Sequence, residues 1–144
     1  MSGLDHRIAM DICAATLAEA GRRGFAPLCA VVLDAGGHPL ALLRDSRASI
    51  GRSDIAGAKA AGCLAMGFGG RELARRASAM PGFLAALTGV LERGIVPVPG
   101  GVLIRDAAGV LLGALGVSGD SSDNDEICAI GAILAAGLKA DTGA

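Results

Sequence analysis

Residues 28–34 constrain the fold of this chain more than any other segment. They read Leu-Cys-Ala-Val-Val-Leu-Asp, a run rich in strand-forming residues in which polar and apolar side chains do not alternate. A strand that is apolar on both sides needs cover on both faces of its sheet. A Gly-Gly turn within residues 35–38 separates this run from a second apolar run, Pro39–Arg44, and the combination predicts a β-hairpin. We therefore expect a sheet with helices packed against both faces.

The rest of the chain supplies the helices and further strands. Apolar residues at helical spacing predict a first helix over residues 4–23 and a last helix over residues 125–140. Between them, shorter helical segments are expected over residues 54–66, with Ser53 or Asp54 as the N-cap, and over residues 71–79 and 82–92. Residues 95–105 read as two strands separated by a kink, and residues 110–118 as another strand. Pro97 and Pro99 confine the first of these strands to an edge or a bulge.

This order of elements, helix-strand-strand-helices-strand-strand-strand-helix, predicts one α+β domain over residues 1–144. Its architecture would be an α/β/α sandwich around a five-stranded, mostly antiparallel sheet. With 144 residues, of which 52% are hydrophobic, the chain can bury a substantial core. A small sheet domain this apolar is expected to hide part of its surface between subunits, so we expect a homo-oligomer.

Charge and aromatic content exclude two classes of partner. The net charge is −1, there is no Trp or Tyr, and Phe occurs 3 times, so neither a basic stripe nor stacking side chains are available for nucleic acid. The longest run without a charged residue, residues 77–91, is too short to cross a membrane.

The N-terminus lacks the basic-then-apolar order of a signal peptide, so a cytoplasmic protein is expected. The 4 cysteines form no Cys-x-x-Cys pair, which favours buried, reduced thiols.

Six short segments occur in an order that resembles a known family. They read VLDAGGH at residues 32–38, LLRD at 42–45, AGAKA at 56–60, PGG at 99–101, GALGVSG at 113–119 and DNDE at 123–126. In this respect the chain resembles the GlcG/HbpS family of haem-binding proteins, whose domain is shared with the C-terminal region of PduO-type corrinoid adenosyltransferases. The resemblance covers residues 29–140. It implies an α/β sandwich with a five-stranded antiparallel sheet, assembly into symmetric oligomers, and haem binding, in some members with haem degradation or redox sensing.

The two histidines are the candidate metal ligands. His38 ends the Gly-Gly turn, where a neutral imidazole could act as a general acid or base or as an axial iron ligand. Alternatively, His38 is only a turn residue. His6 lies in the first turn of the first helix, and the resemblance implies that a histidine of this helix can serve haem. The alternative for His6 is a solvated helix start.

Two cationic positions are candidates for binding and catalysis. Arg44, with Arg47 and Arg52 close behind it, suits a haem propionate or a small carboxylate. The alternative for Arg44 is an internal pair with Asp45, Asp54 or Glu126. Lys59 is the only charged residue inside the helix over residues 55–66, so it must either reach solvent or meet a partner.

A glycine pair and an acidic segment complete the candidate site. Gly100 and Gly101 could cradle a carboxylate or an oxyanion with their backbone N–H groups, or could form a bulge. Residues 119–126 are rich in acids, and Ser122 or Asp123 is expected to cap the last helix. Glu126 is the acid best placed for inward pairing or proton transfer.

Three functions remain open at this point. The first is haem binding, with His38 or His6 as the iron ligand and Arg44, Arg47 or Arg52 facing propionates. The second is a cofactor-free isomerase, hydrolase or lyase for a small carboxylate or carbonyl metabolite. In that enzyme, Arg44 or the Gly100 and Gly101 amides would hold the anion, and His38, Lys59 or Glu126 would move protons. The third is a ligand-free structural or regulatory oligomer.

Overall fold

A computed structural model describes residues 3–144 of the chain. The N-terminal half contains one long helix, a hairpin and a second long helix. The C-terminal half contains three short helical segments, three strands and a further helix. In chain order the elements are α1 (His6–Arg23), β1 (Cys29–Asp34), β2 (Pro39–Arg44), α2 (Gly51–Met66), α3 (Gly70–Ala79), α4 (Pro81–Ala86), a 3₁₀ turn (Leu87–Gly89), β3 (Gly101–Arg105), β4 (Leu111–Ser118), α5 (Ser122–Ala135) and β5 (Lys139–Asp141).

The five strands form one sheet in the order β2-β1-β4-β3-β5, and every neighbouring pair is antiparallel. This confirms the predicted α+β class and the five-stranded sheet. The fifth strand, however, follows the last helix instead of lying within residues 95–99. Pro97 and Pro99 have no N–H group to donate to a ladder, and residues 95–100 form no strand. Helix α5 ends before residue 140 because Gly137, at φ +77°, turns the chain away from the helix. The residues after it can then pair with the edge of β3.

Each face of the sheet carries its own apolar layer, which explains the uninterrupted apolar run of β1. On one face α1 and α5 cover a cluster that includes Ala30, Val32 and Leu115. On the other face α2 covers a cluster that includes Val31 and Leu33. Alternate residues of β1 therefore enter different layers, and the strand is buried from both sides. The predicted α/β/α sandwich is confirmed.

The helix α2 lies very close to the centre of the sheet because glycines face it. A Cβ atom added at Gly116 on β4 would lie 1.9 Å from the carbonyl oxygen of Ala56. One added at Gly101 on β3 would lie 2.6 Å from the carbonyl oxygen of Lys59. The outer strand β2 receives little cover from α2, and its Leu42 is 52% exposed. A groove is left between α2 and the β1–β2 hairpin.

Two predicted helix caps differ from those in the structure. Helix α2 begins at Gly51 instead of Asp54, and the hydroxyl of Ser53 donates to the carbonyl of Ile50 instead of capping the helix. Helix α5 is capped by Ser121, whose hydroxyl accepts from the N–H of Asn124. Local sequence favoured Ser122 or Asp123, but several capping residues stand in a row here, so the backbone turn decides which of them is used.

The four cysteines are in the state that the sequence predicts. Cys13, Cys29, Cys63 and Cys128 are buried and free, as predicted. Within residues 3–144, no helix is both long enough and apolar enough to cross a membrane.

Candidate functional site

A cleft of about 470 Å³ opens between the β1–β2 turn and the second half of α2. Its apolar side is formed by Ala61, Leu64 and Ala65 of α2 together with Leu91. Polar groups stand at its rim: His38 on the turn, and Glu92 and Arg93 on the segment that follows the 3₁₀ turn. We call this the His38 cleft.

The hairpin turn fixes the backbone of His38 through hydrogen bonds with Asp34. One carboxylate oxygen of Asp34 accepts from the N–H of His38 at 2.9 Å and from the N–H of Gly36 at 3.0 Å. The backbone N–H of Asp34 in turn donates to the carbonyl of His38 at 2.8 Å. Gly37 adopts φ +86°, a left-handed conformation that favours glycine. The turn therefore presents an exposed imidazole whose ring nitrogens bond no other group in the described part of the chain.

Arg93 is the cation of this cleft, and the sequence analysis missed it. Each of the other arginines donates to a carboxylate, a carbonyl or a hydroxyl group, whereas Arg93 has no hydrogen bond or ion pair among residues 3–144. Its place in the sequence is a short polar stretch, Glu-Arg-Gly, between apolar segments, and Gly94 at φ +71° turns the chain there. That polar turn is the one signal that could have identified it.

A second cleft of about 360 Å³ lies beside β2 and shares Arg93 with the first. The hairpin contributes an apolar side made of Val31, Leu33, Pro39 and Leu42, and the start of α2 contributes Ser53, Asp54, Gly57 and Ala58. We call it the Leu42 cleft. The two clefts together form the groove that α2 leaves over the hairpin.

The predicted arginines and His6 lie away from the His38 cleft. Arg44 donates to the backbone carbonyls of Ala48, at 2.6 Å, and Asp45, at 3.3 Å, and so holds the loop that follows β2. Among residues 3–144 its guanidinium forms no ion pair with the carboxylate of any of the three acids considered for it. Arg47 pairs with Asp45, and Arg52 donates to the hydroxyl of Ser118. His6 is the exposed first residue of α1 and is not among the residues that line the cleft.

Lys59 has a partner that the sequence analysis did not identify. Its side chain is 3% exposed, and its ammonium group donates to Asp125 Oδ2 at 3.1 Å and to the carbonyl of Val117 at 2.9 Å. The other carboxylate oxygen of Asp125 accepts from the N–H of Asp120 at 2.9 Å. Burial raises the pKa of Asp125, and the neighbouring Lys59 opposes that rise only in part. The pair joins α2 to β4 and α5 inside the protein.

Gly100 and Gly101 pack against this pair and do not open into either cleft. A Cβ atom at Gly100 would lie 2.8 Å from the Lys59 ammonium, and one at Gly101 would lie 2.6 Å from the sulfur of Cys63. Glu126 is buried and accepts from the guanidinium of Arg71 at 2.8 Å, an inward pairing of the kind expected for it. The sequence did not identify Arg71 as the partner of Glu126 because Arg71 lies on α3, far from Glu126 along the chain.

The structure thus divides the predicted site residues between two ends of the sheet. The turn that carries His38 follows the end of β1, which pairs with Gly113, whereas Lys59 bonds Val117 near the other end of β4. Four residues of strand separate these positions, or about 13 Å. No cluster of three or more His, Cys, Asp or Glu side chains that could hold a metal ion occurs among the described residues.

The comparisons with known proteins agree with this fold. The model of the family described as haem degrading protein HbpS-like matches residues 4–134. No curated protein matches the chain. Among solved structures, the chain is similar to a PduOC–haem complex, with 24% identity, a TM-score of 0.83 and coverage of 99% of this chain and 100% of that chain.

Two further structures show the same arrangement. The structure of HbpS is 23% identical, with a TM-score of 0.79 and coverage of 94% of this chain and 91% of that one. The Klebsiella pneumoniae protein ORFY is 24% identical, with a TM-score of 0.82 and coverage of 95% of this chain and 93% of that one. At these identities the solved structures establish the fold alone. Since the family model spans most of the chain, this protein belongs to the HbpS-like family.

Proposed function

We propose that this protein binds haem in the His38 cleft, with His38 as the iron ligand. The observation that carries the proposal is an exposed imidazole on a hydrogen-bonded turn, at the rim of a cleft with one apolar side, where the guanidinium of Arg93 has no partner among residues 3–144. The family description and the haem complex of the similar PduOC structure support the choice of ligand.

The residues of the cleft fit haem in three respects. A neutral imidazole is a common axial ligand of haem iron. The side chains of Ala61, Leu64 and Leu91 offer an apolar surface to a porphyrin, and the volume of about 470 Å³ lies in the range of small-molecule sites. The fork of Arg93 suits a propionate carboxylate. When bound, haem would supply a redox-active iron, while the chain's own residues bind and orient it.

The structure supports haem binding more than a cofactor-free enzyme. The enzyme hypothesis needs His38, Lys59 or Glu126 to move protons beside an anion held by Arg44 or by the Gly100 and Gly101 amides. None of these anion-binding groups lines the His38 cleft. Lys59 and Glu126 are instead engaged in ion pairs, and Lys59 lies near the opposite end of β4 from the His38 turn. The His38 cleft, by contrast, combines an iron ligand, an anion partner and an apolar wall in one place.

A haemin titration of the haem-free protein tests the proposal, with the Soret band as the readout. The chain contains 2 histidines, so His38→Ala and His6→Ala form a matched pair of variants. We expect a saturable, shifted band at one haem per subunit that survives His6→Ala and is lost in His38→Ala. Loss in His6→Ala alone would assign the ligand to α1, and binding that is insensitive to both changes would refute a histidine-ligated site.

The role of Arg93 can be measured in the same titration. A charge-assisted hydrogen bond to a propionate contributes about 1.5 kcal/mol or more, so Arg93→Gln should weaken haem binding about tenfold. Arg47→Gln is the control because Arg47 is also exposed but pairs with Asp45 away from the cleft. Equal affinities of the two variants would remove Arg93 from the site.

We also propose that the protein forms a homo-oligomer. Several large apolar side chains stand in solvent in the isolated chain, including Ile50 at 84%, Val90 at 76% and Leu134 at 57% exposure. Surfaces of this kind are typical of contacts between subunits. Light scattering coupled to size exclusion should give a mass that is a multiple of 14.1 kDa. A monomer at micromolar concentration would refute the proposal.

A further inference from the structure

We propose that the Leu42 cleft is a separate binding site for a small zwitterion with an aliphatic body, of the size and charge of a branched-chain amino acid. This inference goes beyond haem binding and does not depend on it. The Leu42 cleft shares only Arg93 with the His38 cleft, and its other lining residues are its own.

The apolar side of the cleft is open although its residues belong to the sheet. Val31 and Leu33 of β1 are buried, but Leu42 beside them on β2 is 52% exposed because α2 does not extend over it. A branched aliphatic group placed here would cover Leu42 and remove apolar surface from water. The volume of about 360 Å³ accommodates a ligand of that size.

The polar side of the cleft carries two opposite charges that have no partner among the described residues. Asp54 is exposed on the first turns of α2, and no hydrogen bond or ion pair to its carboxylate occurs among residues 3–144. Arg93 is likewise unpaired. Although both line the same cleft, they do not pair with each other, so each is free to meet a charge on a ligand.

These charges select a class of ligand. An ammonium group would meet Asp54 and a carboxylate would meet Arg93, which binds carboxylates through two parallel hydrogen bonds. A purely anionic ligand would pair with Arg93 and leave Asp54 without a partner. A purely cationic ligand would pair with Asp54 and leave Arg93 without one. Ser53 adds a hydroxyl whose oxygen can accept a further hydrogen bond, since its proton is donated to Ile50. Charge complementarity therefore favours a zwitterion.

Gly57 provides a way to block the cleft without disturbing the fold. It lies within α2 and lines the cleft, and a Cβ atom added there would meet nothing within 4 Å. A leucine at this position would extend into the space of the ligand. Since leucine favours the helix more than glycine does, Gly57→Leu should not lower the melting temperature.

The test is calorimetric titration of the haem-free protein with three probes that share the same branched aliphatic body. L-leucine carries both charges, 4-methylpentanoate only the carboxylate, and 3-methylbutylamine only the ammonium group. We expect L-leucine to bind at least tenfold more tightly than either analogue. Gly57→Leu should abolish its binding while leaving the melting temperature unchanged or higher.

The variant Asp54→Asn tests whether Asp54 binds the ammonium group of the ligand, and Asp11→Asn is the control. Asp11 is another exposed acid without a hydrogen bond or ion pair to residues 3–144, but it lies on α1, on the other side of the sheet. Asp54→Asn should weaken L-leucine binding about tenfold without weakening 4-methylpentanoate binding, and Asp11→Asn should change neither. Equal affinities for the three probes, no binding at millimolar L-leucine, or equal behaviour of the two variants would overturn the proposal.

The same variants separate this proposal from haem binding. Asp54 and Gly57 do not line the His38 cleft, so Asp54→Asn and Gly57→Leu should give an unchanged Soret titration. Failure of L-leucine to bind would therefore leave the haem result unaffected, and failure of haem to bind would leave the leucine result unaffected.

Discussion

The buried pair of Lys59 and Asp125 predicts a large loss of stability when one partner is removed. In Lys59→Met the long side chain keeps its volume, but the Asp125 carboxylate, which is 1% exposed, loses its opposing charge. The carbonyl of Val117 also loses a donor. Breaking a buried pair in this way costs about 3–5 kcal/mol. For a chain of this size that corresponds to a fall in Tm of about 10–20 °C.

The double variant Lys59→Met with Asp125→Asn should recover most of this loss. It removes both buried charges, and the side-chain oxygen of Asn at position 125 can still accept from the N–H of Asp120. Replacement of a buried pair by neutral groups is often nearly neutral, so the double variant should lie within about 2 kcal/mol of the wild type. The measured coupling between the two sites would then be large and opposite in sign to the single effects.

Urea unfolding followed by far-ultraviolet circular dichroism provides the assay. Tryptophan fluorescence cannot be used because the chain contains 0 Trp. The m-values of the variants should equal that of the wild type, so that shifts in midpoint report stability alone. The reasoning is refuted if Lys59→Met costs less than about 1 kcal/mol, which is the range of an exposed pair. It is also refuted if the double variant is as unstable as the sum of the singles.

Asp125 gives this pair a dependence on pH of definite sign. Burial raises the pKa of its carboxyl group in the folded protein above the ordinary value of 3.8, so the folded state holds the proton more tightly than the unfolded state. The stability of the wild type relative to Asp125→Asn should therefore fall as the pH rises from 3.8 through the raised pKa. Urea unfolding of both proteins from pH 4 to 7 measures this difference. A difference that grows with pH would show that pairing with Lys59 outweighs burial.

Three further outcomes follow from packing, charge and burial. Gly116→Ala should lower the free energy of unfolding by about 3 kcal/mol, because its Cβ would meet the Ala56 carbonyl, whereas Gly57→Ala should raise it by about 0.5–1 kcal/mol; urea unfolding compares the two. Glu92→Gln should tighten haem binding in the Soret titration, since it removes an anion from the cleft rim that would repel the propionates of a bound haem. The cysteines should not react with a disulfide reagent until urea unfolds the protein, because all four are buried; burial raises the pKa of the Cys63 thiol to about 12.

The layers of the fold could be predicted from the sequence because they rest on local signals. The apolar run of β1, the Gly-Gly turn and the helical spacing in α1 each act within a few residues, and the structure confirms what they predict. The position of the fifth strand could not be predicted in this way. Residues 139–141 become a strand only because β3 offers them a free edge, and nothing in Lys-Ala-Asp itself favours a strand.

The candidate site was predictable only where a residue's own chemistry marks it. His38 was identified because it is one of 2 histidines and follows a turn. Lys59 was identified as needing a partner, but Asp125 is one of several acids in its segment, and only the fold, which brings the start of α5 beside Lys59, selects it. Arg93 is one of many cations in the sequence. What distinguishes it is the absence of a partner within residues 3–144, a property of the folded chain and not of the residue.

The groove itself arises from the smallest residues of the chain. Gly116 and Gly101 bring α2 so close to the central strands that the helix cannot also cover β2. Leu42 and the β1–β2 turn are therefore left exposed beside α2. The segment that carries Arg93 then borders both resulting clefts. A bulky residue in place of Gly116 would lift α2 and change the shape of both clefts together. The glycines of β3 and β4 therefore shape both clefts through packing alone, although none of them lines a cleft.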